Sequence, residues 1–466
     1  MSVRTSSRRA LVALCGVVTL ASGTVLAHGG SLRGQSESLA IPTWLFLMTG
    51  GAAVGASFLL ATTVTDRRWV ASVDDWHRFL GRFPTAVRAY LAPVVGIAGL
   101  VAVLWASFAG PPEPLRNLAI LLVWVGWWSG YAMTSYLVGN TWPALNPFRT
   151  IAEALPSLDV RYPAGLGSWP AVVGLLALVF VEVVSPLADD PSLLGIVVVA
   201  YGVVTIAGAV VFGTESWFGQ ADPVSGLFRA YGRVAPLRRT DDGRLRLRLP
   251  GMALTDNTWV TGRDEVAFVV ALLWVTTFDG IVTTPAWSDL ATAVVEATAP
   301  ALTESARATL LYFVAYVGGF GLFLAAYFGA SRLARRTGDT YCTPGELARR
   351  FAPPLLAIAA GYHLAHSLGY FVSLSLPFGA ALANPVAPPA SPQVFALPSW
   401  VTGVELAAVL LGHLLAIWVA HAAAYDLFPS RLQAVRSQYP FIGVMILYTM
   451  VSLWVVAEPS LLPPYL

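Results

Sequence analysis

The chain has 466 residues, 56% of them hydrophobic and only 12% charged, with a formal net charge of +2. Its mean hydropathy of +0.67 lies far outside the range of soluble domains and makes it an all-α polytopic membrane protein. Its two cysteines, Cys15 and Cys342, are too far apart in sequence for a metal motif or a disulfide framework, and no basic tract alternates with aromatics as a nucleic-acid surface would.

From the N-terminus, Arg4, Arg8 and Arg9 precede the apolar run "ALVALCGVVTLASGTVL", which ends at the small-residue site Val25-Leu26-Ala27. Residues 1–27 therefore read as a signal peptide whose cleavage makes His28 the first mature residue; an uncleaved first span is the alternative. A window of about 20 apolar residues then finds ten spans. Their limits are about 41–64, 90–109, 118–138, 169–187, 192–213, 265–285, 309–330, 354–376, 401–423 and 438–457. Spans one to five fill residues 28–213, a cytoplasmic amphipathic segment covers 214–263, and spans six to ten occupy 264–466.

Arginine orients the spans. Arg67, Arg68, Arg78 and Arg82 follow the first, Arg149 and Arg161 the third, a long set from Arg229 to Arg263 the fifth, Arg332 to Arg350 the seventh, and Arg431 and Arg436 the ninth. Those segments are expected in the cytoplasm, which puts the mature N-terminus and the C-terminus outside a plasma membrane. Within 214–263, "DDGRLRLRLPG" couples a turn signal to strict alternation and predicts a small hairpin or strand at the membrane surface. Anionic lipid heads account for its arginines without a further partner. Two arginine-rich segments resemble each other: "GNTWPALNPFRTIAEALP" and "GTESWFGQADPVSGLFRAYGRVAP" both run from Gly through Trp to Asn-Pro or Asp-Pro, then Phe-Arg. A repeated pair of spans would explain this, and so would coincidence between two Pro-punctuated helices.

Ionisable side chains at membrane depth are costly and become functional candidates by default. They are Glu182, Asp279, His363, His366, Glu405, His413 and His421. At about 1.5 Å of rise per residue, Asp279, His366 and Glu182 fall roughly 18–22 Å above the cytoplasmic end of a core about 30 Å thick. His413 comes just below the midplane and could face His366 across a helix pair. A carboxylate with two or three imidazoles in a low-dielectric pocket is the composition of a transition-metal site or of a proton relay. His28 would add an imidazole and an α-amine from outside. Set against this, a lone intramembrane histidine is commonly an interhelical hydrogen-bond partner, the reading favoured for His421, and His363 serves as a second donor behind His366. Trp124, Trp127 and Trp128 read as helix packing or interface anchoring.

The pieces "AHGG", "LAIPTWLF", "LNPFRT", "TESW", "TFDG", "YHLAH", "GHLLAIWVAH" and "SQYP" run nearly end to end. In that order they resemble the multi-pass organophosphate hydrolases named for fenitrothion. The resemblance implies phosphotriester hydrolysis assisted by a divalent transition metal, with His366 and His413 as ligands, Asp279 as ligand or base, Glu215 as a second catalytic residue and His421 as a further polar position. His363 and the outward segment after the eighth span do not belong to the shared pattern. The residues alone leave a second class open, a transporter or permease that passes a cation or protons through the same His and Asp side chains. The expected partners are the lipid bilayer and a small lipophilic substrate or a cation, with no nucleic acid.

Overall fold

A computed structural model describes residues 43–466, apart from 83, 85, 257, 258, 299–301, 399, 460 and 466. The signal peptide and His28 lie outside the described residues. A lipid-embedded chain must satisfy its backbone within each span, and the apolar runs accordingly become helices. They are α1 (Thr43–Thr63), α2 (Val87–Ala109), α3 (Leu118–Leu137), α4 (Trp169–Val184), α5 (Pro191–Phe212), α6 (Arg263–Ile281), α7 (Glu304–Thr337), α8 (Leu355–Ser373), α9 (Trp400–Leu427) and α10 (Arg431–Ala457). Each coincides with one predicted span. Seven are long and apolar enough to cross a membrane, α8 counted with the short helix Pro344–Phe351 before it. Two more, α1 and α6, continue into short helices, Arg67–Asp74 and Pro285–Ala297, bent away by 116° and 79°. The remaining one, α4, has only 16 residues because Ser185-Pro186 ends it, and the single turn Pro186–Ala188 extends it.

Some boundaries differ from expectation. Arg332, Arg335 and Arg336 lie on α7, which runs on to Thr337, and Arg431 and Arg436 lie in the first turns of α10. Hydropathy stops at the edge of the hydrocarbon, whereas a helix can continue into water as long as its backbone bonds are kept.

Contacts between loops sort the two ends of the bundle. At one end, Arg67 bonds the carbonyls of Tyr425 and Phe428, Arg149 pairs with Glu215, Arg350 with Asp426 at 3.3 Å, and Thr337 bonds the Arg436 carbonyl. Every one of these residues lies at the C-terminal end of an odd-numbered helix, in the segment that follows it, or, for Arg436, in the first turns of α10. At the other end, Arg116 reaches the Pro388 carbonyl and Leu461 N–H bonds the Thr283 carbonyl at 2.7 Å. The alternation read from arginine is thus an alternation in space.

The arginine-rich end carries a three-stranded antiparallel sheet of order β1-β3-β2, with β1 His77–Arg82, β2 Leu237–Arg239 and β3 Arg244–Arg248. The β2–β3 hairpin is the predicted one. Its third strand comes from the segment after α1, which had no strand signal of its own. Residues 214–221 and 223–231 of the segment expected as loop and hairpin are helical, with Asp222 extended between them.

The two similar segments fold alike. Before α3 a single turn, Pro114–Arg116, leads to Asn117, which caps the helix by accepting from Ala119 and Ile120 N–H; before α5, Pro186–Ala188 leads to Asp190, which does the same for Ser192 and Leu193. After each helix the chain makes a short turn of helix, then an Asx-Pro cap: Asn146 ahead of Pro147–Glu153, and Asp222 ahead of Pro223–Tyr231. An Asx cap satisfies orphan N–H groups that lipid cannot. Because α2 and α4 run in one direction and α3 and α5 in the other, the two pairs relate as parallel units.

Two packing features position the polar residues. Helix α6 is buried along nearly all its length, between α4, α7, α8 and α10, so Asp279 sits on the central helix. Helices α8 and α9 meet most closely through glycine: a Cβ on Gly361 would lie 2.6 Å from the Ala408 carbonyl oxygen and 2.9 Å from Gly412 Cα. Small residues let backbones approach where no hydrophobic force between helices operates.

Candidate functional site

Asp279, two residues before the end of α6, and His366 of α8 face each other with Nε2 3.2 Å from Oδ2. Both side chains are half-buried. Glu182 of α4 is near enough to Asp279 for the two carboxylates to interact electrostatically, and Tyr316 of α7 feels both. Tyr362, one turn before His366, stacks on its imidazole with the rings 7° from parallel. Four helices therefore converge on one cluster near the even-loop end: Glu182, Asp279, Tyr316, Tyr362 and His366. Tyr316 and Tyr362 were not read from the sequence. For Tyr362 the i, i+4 spacing to His366 was a usable signal, whereas nothing local marks Tyr316 among the aromatics of α7.

The other candidates lie elsewhere. His413 is fully buried; its Nδ1 donates to the Val409 carbonyl of its own helix at 2.8 Å and its Nε2 has no hydrogen-bond partner. It does not face His366. Among the described residues no group of three or more His, Cys, Asp and Glu side chains could hold a metal ion. The Asp279–His366 pair supplies two donors, fewer than the three or four protein ligands of a transition-metal centre, so these residues do not fit a metal ion by themselves. His363 is enclosed by the rings of Trp128, Tyr136 and Tyr231, with Nδ1 3.0 Å from the Tyr136 hydroxyl. That arrangement fastens α8 to α3. His421 Nε2 donates to the Val64 carbonyl at 3.0 Å and ties α9 to the end of α1. Glu405 stands on α9, half-buried. Glu215 is exposed at the arginine-rich end and paired with Arg149, the whole bundle away from Asp279.

Beside the cluster, α2 to α5 and the two Asx-Pro-capped helices line a partly open cavity of about 680 Å³. It extends from Pro147 and Pro223 at the arginine-rich end to Leu187 near the other, and its walls are almost wholly apolar and aromatic. The tryptophans of α3 form one wall. They stand on an eleven-residue π-helical stretch, Leu121–Tyr131, in which Gly126 and Gly130 receive the rings of Phe378 and Phe371. The wider i→i+5 turn is rare and concentrates at functional sites, and here it broadens the aromatic surface offered to the cavity. Glu182 is the one charged side chain among the lining residues.

No protein-family model, curated protein or solved structure matches the chain.

Proposed function

We propose that the protein is a membrane permease that loads a lipophilic cation into the cavity of α2–α5 and couples that loading to protons held by the Asp279–His366 cluster. The observation carrying this reading is the double membership of Glu182, which lines the apolar cavity and shares the electrostatic environment of Asp279. A carboxylate at membrane depth attracts either a proton or a cation, and aromatic walls favour a bulky organic cation through their ring quadrupoles. A volume of 680 Å³ suits a drug-sized ligand. Arginine asymmetry supports a plasma-membrane orientation with the sheet-bearing end in the cytoplasm and the C-terminus outside.

The test is uptake of tetraphenylphosphonium by proteoliposomes under an imposed pH gradient. Wild type accumulates the cation, Glu182→Gln neither binds nor accumulates it, and Asp279→Asn binds it but loses the dependence on the gradient. Uptake unaltered in both variants refutes the reading.

A second reading rests on the 3.2 Å His366–Asp279 contact, the arrangement of a general base oriented by a carboxylate. It is the phosphotriester hydrolase implied by the family resemblance, with the apolar cavity admitting an uncharged triester from the bilayer. Turnover of such a triester in detergent, with no gradient and abolished by Asp279→Asn, would establish it over the permease.

A further inference from the structure

The sheet at the arginine-rich end holds one guanidinium that the described residues do not neutralise. Its register sets Arg238 directly opposite Arg246 on β3, and Arg82 opposite Arg244. Like charges directly across an antiparallel pair repel. On the face shared by Arg238, Arg244, Arg246 and Arg248, three of the four find carboxylates. Arg244 bonds Asp242 at 2.5 Å and lies over the Phe79 ring, while Arg248 and Arg238 share Asp256 at 2.9 and 3.4 Å.

Arg246 has none. Among the described residues the only hydrogen-bond contact of its side chain is His77 Nδ1, 3.3 Å from Nη2, and its Nε is buried without an acceptor there. His77 Nδ1 also stands 2.7 Å from the Asp75 carbonyl, an acceptor only, so that nitrogen carries the hydrogen and cannot accept from Arg246. The guanidinium thus faces a second arginine across the strand and a nitrogen that donates.

The surroundings say what kind of anion would fit. Leu237 N–H bonds the carbonyl of Val138 just past α3, which fixes the sheet at the level where the helices leave the bilayer. The helix Arg67–Asp74 turns away from α1 by 116°, and Trp69 on that helix and Trp76, Phe79 and Leu80 on or beside β1 are all exposed. Exposed tryptophan and phenylalanine interleaved with arginine at helix-end depth is the composition of a membrane–water interface.

We infer that Arg246, with Arg238 opposite it, is a binding site for the phosphate of an anionic lipid headgroup, with the aromatic residues of β1 and its preceding helix set in the same leaflet. An Arg-phosphate contact supplies the charge-assisted bond that the Arg246 guanidinium lacks and offers Arg238 a second anion beside its 3.4 Å pair with Asp256. This goes beyond a diffuse attraction of basic residues to the membrane, and it is independent of the permease reading.

The experiment compares thermal unfolding of wild type, Arg246→Gln and Arg336→Gln in nanodiscs of phosphatidylcholine and in nanodiscs with increasing phosphatidylglycerol. Wild type gains a saturable rise in midpoint with phosphatidylglycerol, as does Arg336→Gln; Arg246→Gln shows none, and in pure phosphatidylcholine it is at least as stable as wild type because the repulsion from Arg238 is gone. Native mass spectrometry of the same samples shows wild type keeping phosphatidylglycerol over phosphatidylcholine, with the preference reduced about tenfold in Arg246→Gln. The inference is overturned if Arg246→Gln responds to phosphatidylglycerol like wild type, if it is destabilised equally in both lipids, or if inorganic phosphate alone reproduces the wild-type gain.

Discussion

Replacing Gly361 by alanine should loosen the α8–α9 pair and, through it, the His366–Asp279 contact. The added Cβ would lie 2.6 Å from the Ala408 carbonyl oxygen, while ordinary carbon–oxygen contact begins at about 3.3 Å. The helices must part there by about 0.7 Å. Overpacking of this size costs about 1–3 kcal/mol, and alanine returns about 1 kcal/mol of helix propensity, so the net loss is about 0–2 kcal/mol. Gly412→Ala meets the Ala357 carbonyl oxygen at 2.6 Å and should cost the same. The two glycines face each other, so the double variant should lose less than the sum, the helices having already separated. Gly403→Ala, on α9 with open space where its Cβ would go, is the control and should be neutral or slightly stabilising. Denaturant titration in mixed micelles, followed by tryptophan fluorescence, reads all four. His366 lies little more than one turn beyond Gly361, so Gly361→Ala should also weaken the gradient dependence of uptake. Equal stability of Gly361→Ala, Gly412→Ala and Gly403→Ala would refute the close-packing argument.

Three further outcomes are expected. Asp222 is held above the usual carboxylate range, chiefly by burial; its favourable contribution is therefore present below the unfolded value of about 4 and lost as pH rises through the folded one. Asp222→Asn, which keeps the cap as Asn146 does in the parallel segment, should lose less thermal stability than wild type as pH rises above about 4, and parallel curves would exclude this burial effect. Glu215→Ala removes an exposed pair with Arg149 and should cost no more than about 0.5 kcal/mol while leaving uptake intact; loss of activity would restore the catalytic role implied by the family resemblance. Mass spectrometry of the purified protein should find no stoichiometric transition metal that depends on His366; one equivalent lost in His366→Ala would make the pair part of a ligand set and favour the hydrolase.

Much of the fold was legible because lipid leaves the chain few options. Ten apolar runs gave ten helices, and the clustering of arginine at alternate turns matched the loop contacts at the two ends. Turn chemistry was legible as well, since "TDDG" marked the β2–β3 hairpin. The sequence did not reveal β1, because a strand completing an existing sheet needs no strong alternation of its own. Nor did it reveal the unwinding of α3 into a π-helix, where glycine makes room for phenylalanine from a distant segment.

The candidate site was legible only in its parts. Membrane depth alone flagged Asp279, His366 and Glu182, since each is costly in hydrocarbon wherever the helix faces. The same criterion flagged His413, which bonds its own helix, and His421, whose place near the interface pointed instead to the interhelical bond it makes to the end of α1. Depth follows from counting residues along a single helix, and the sequence by itself determined that, together with the order of the apolar helices and the alternation of their connecting segments. Rotation of each helix about its axis, and the choice of its neighbours, depend on side-chain packing among segments hundreds of residues apart. Only the tertiary structure could decide that Asp279 meets His366 rather than His413, and that Glu182 borders both a carboxylate and an apolar cavity.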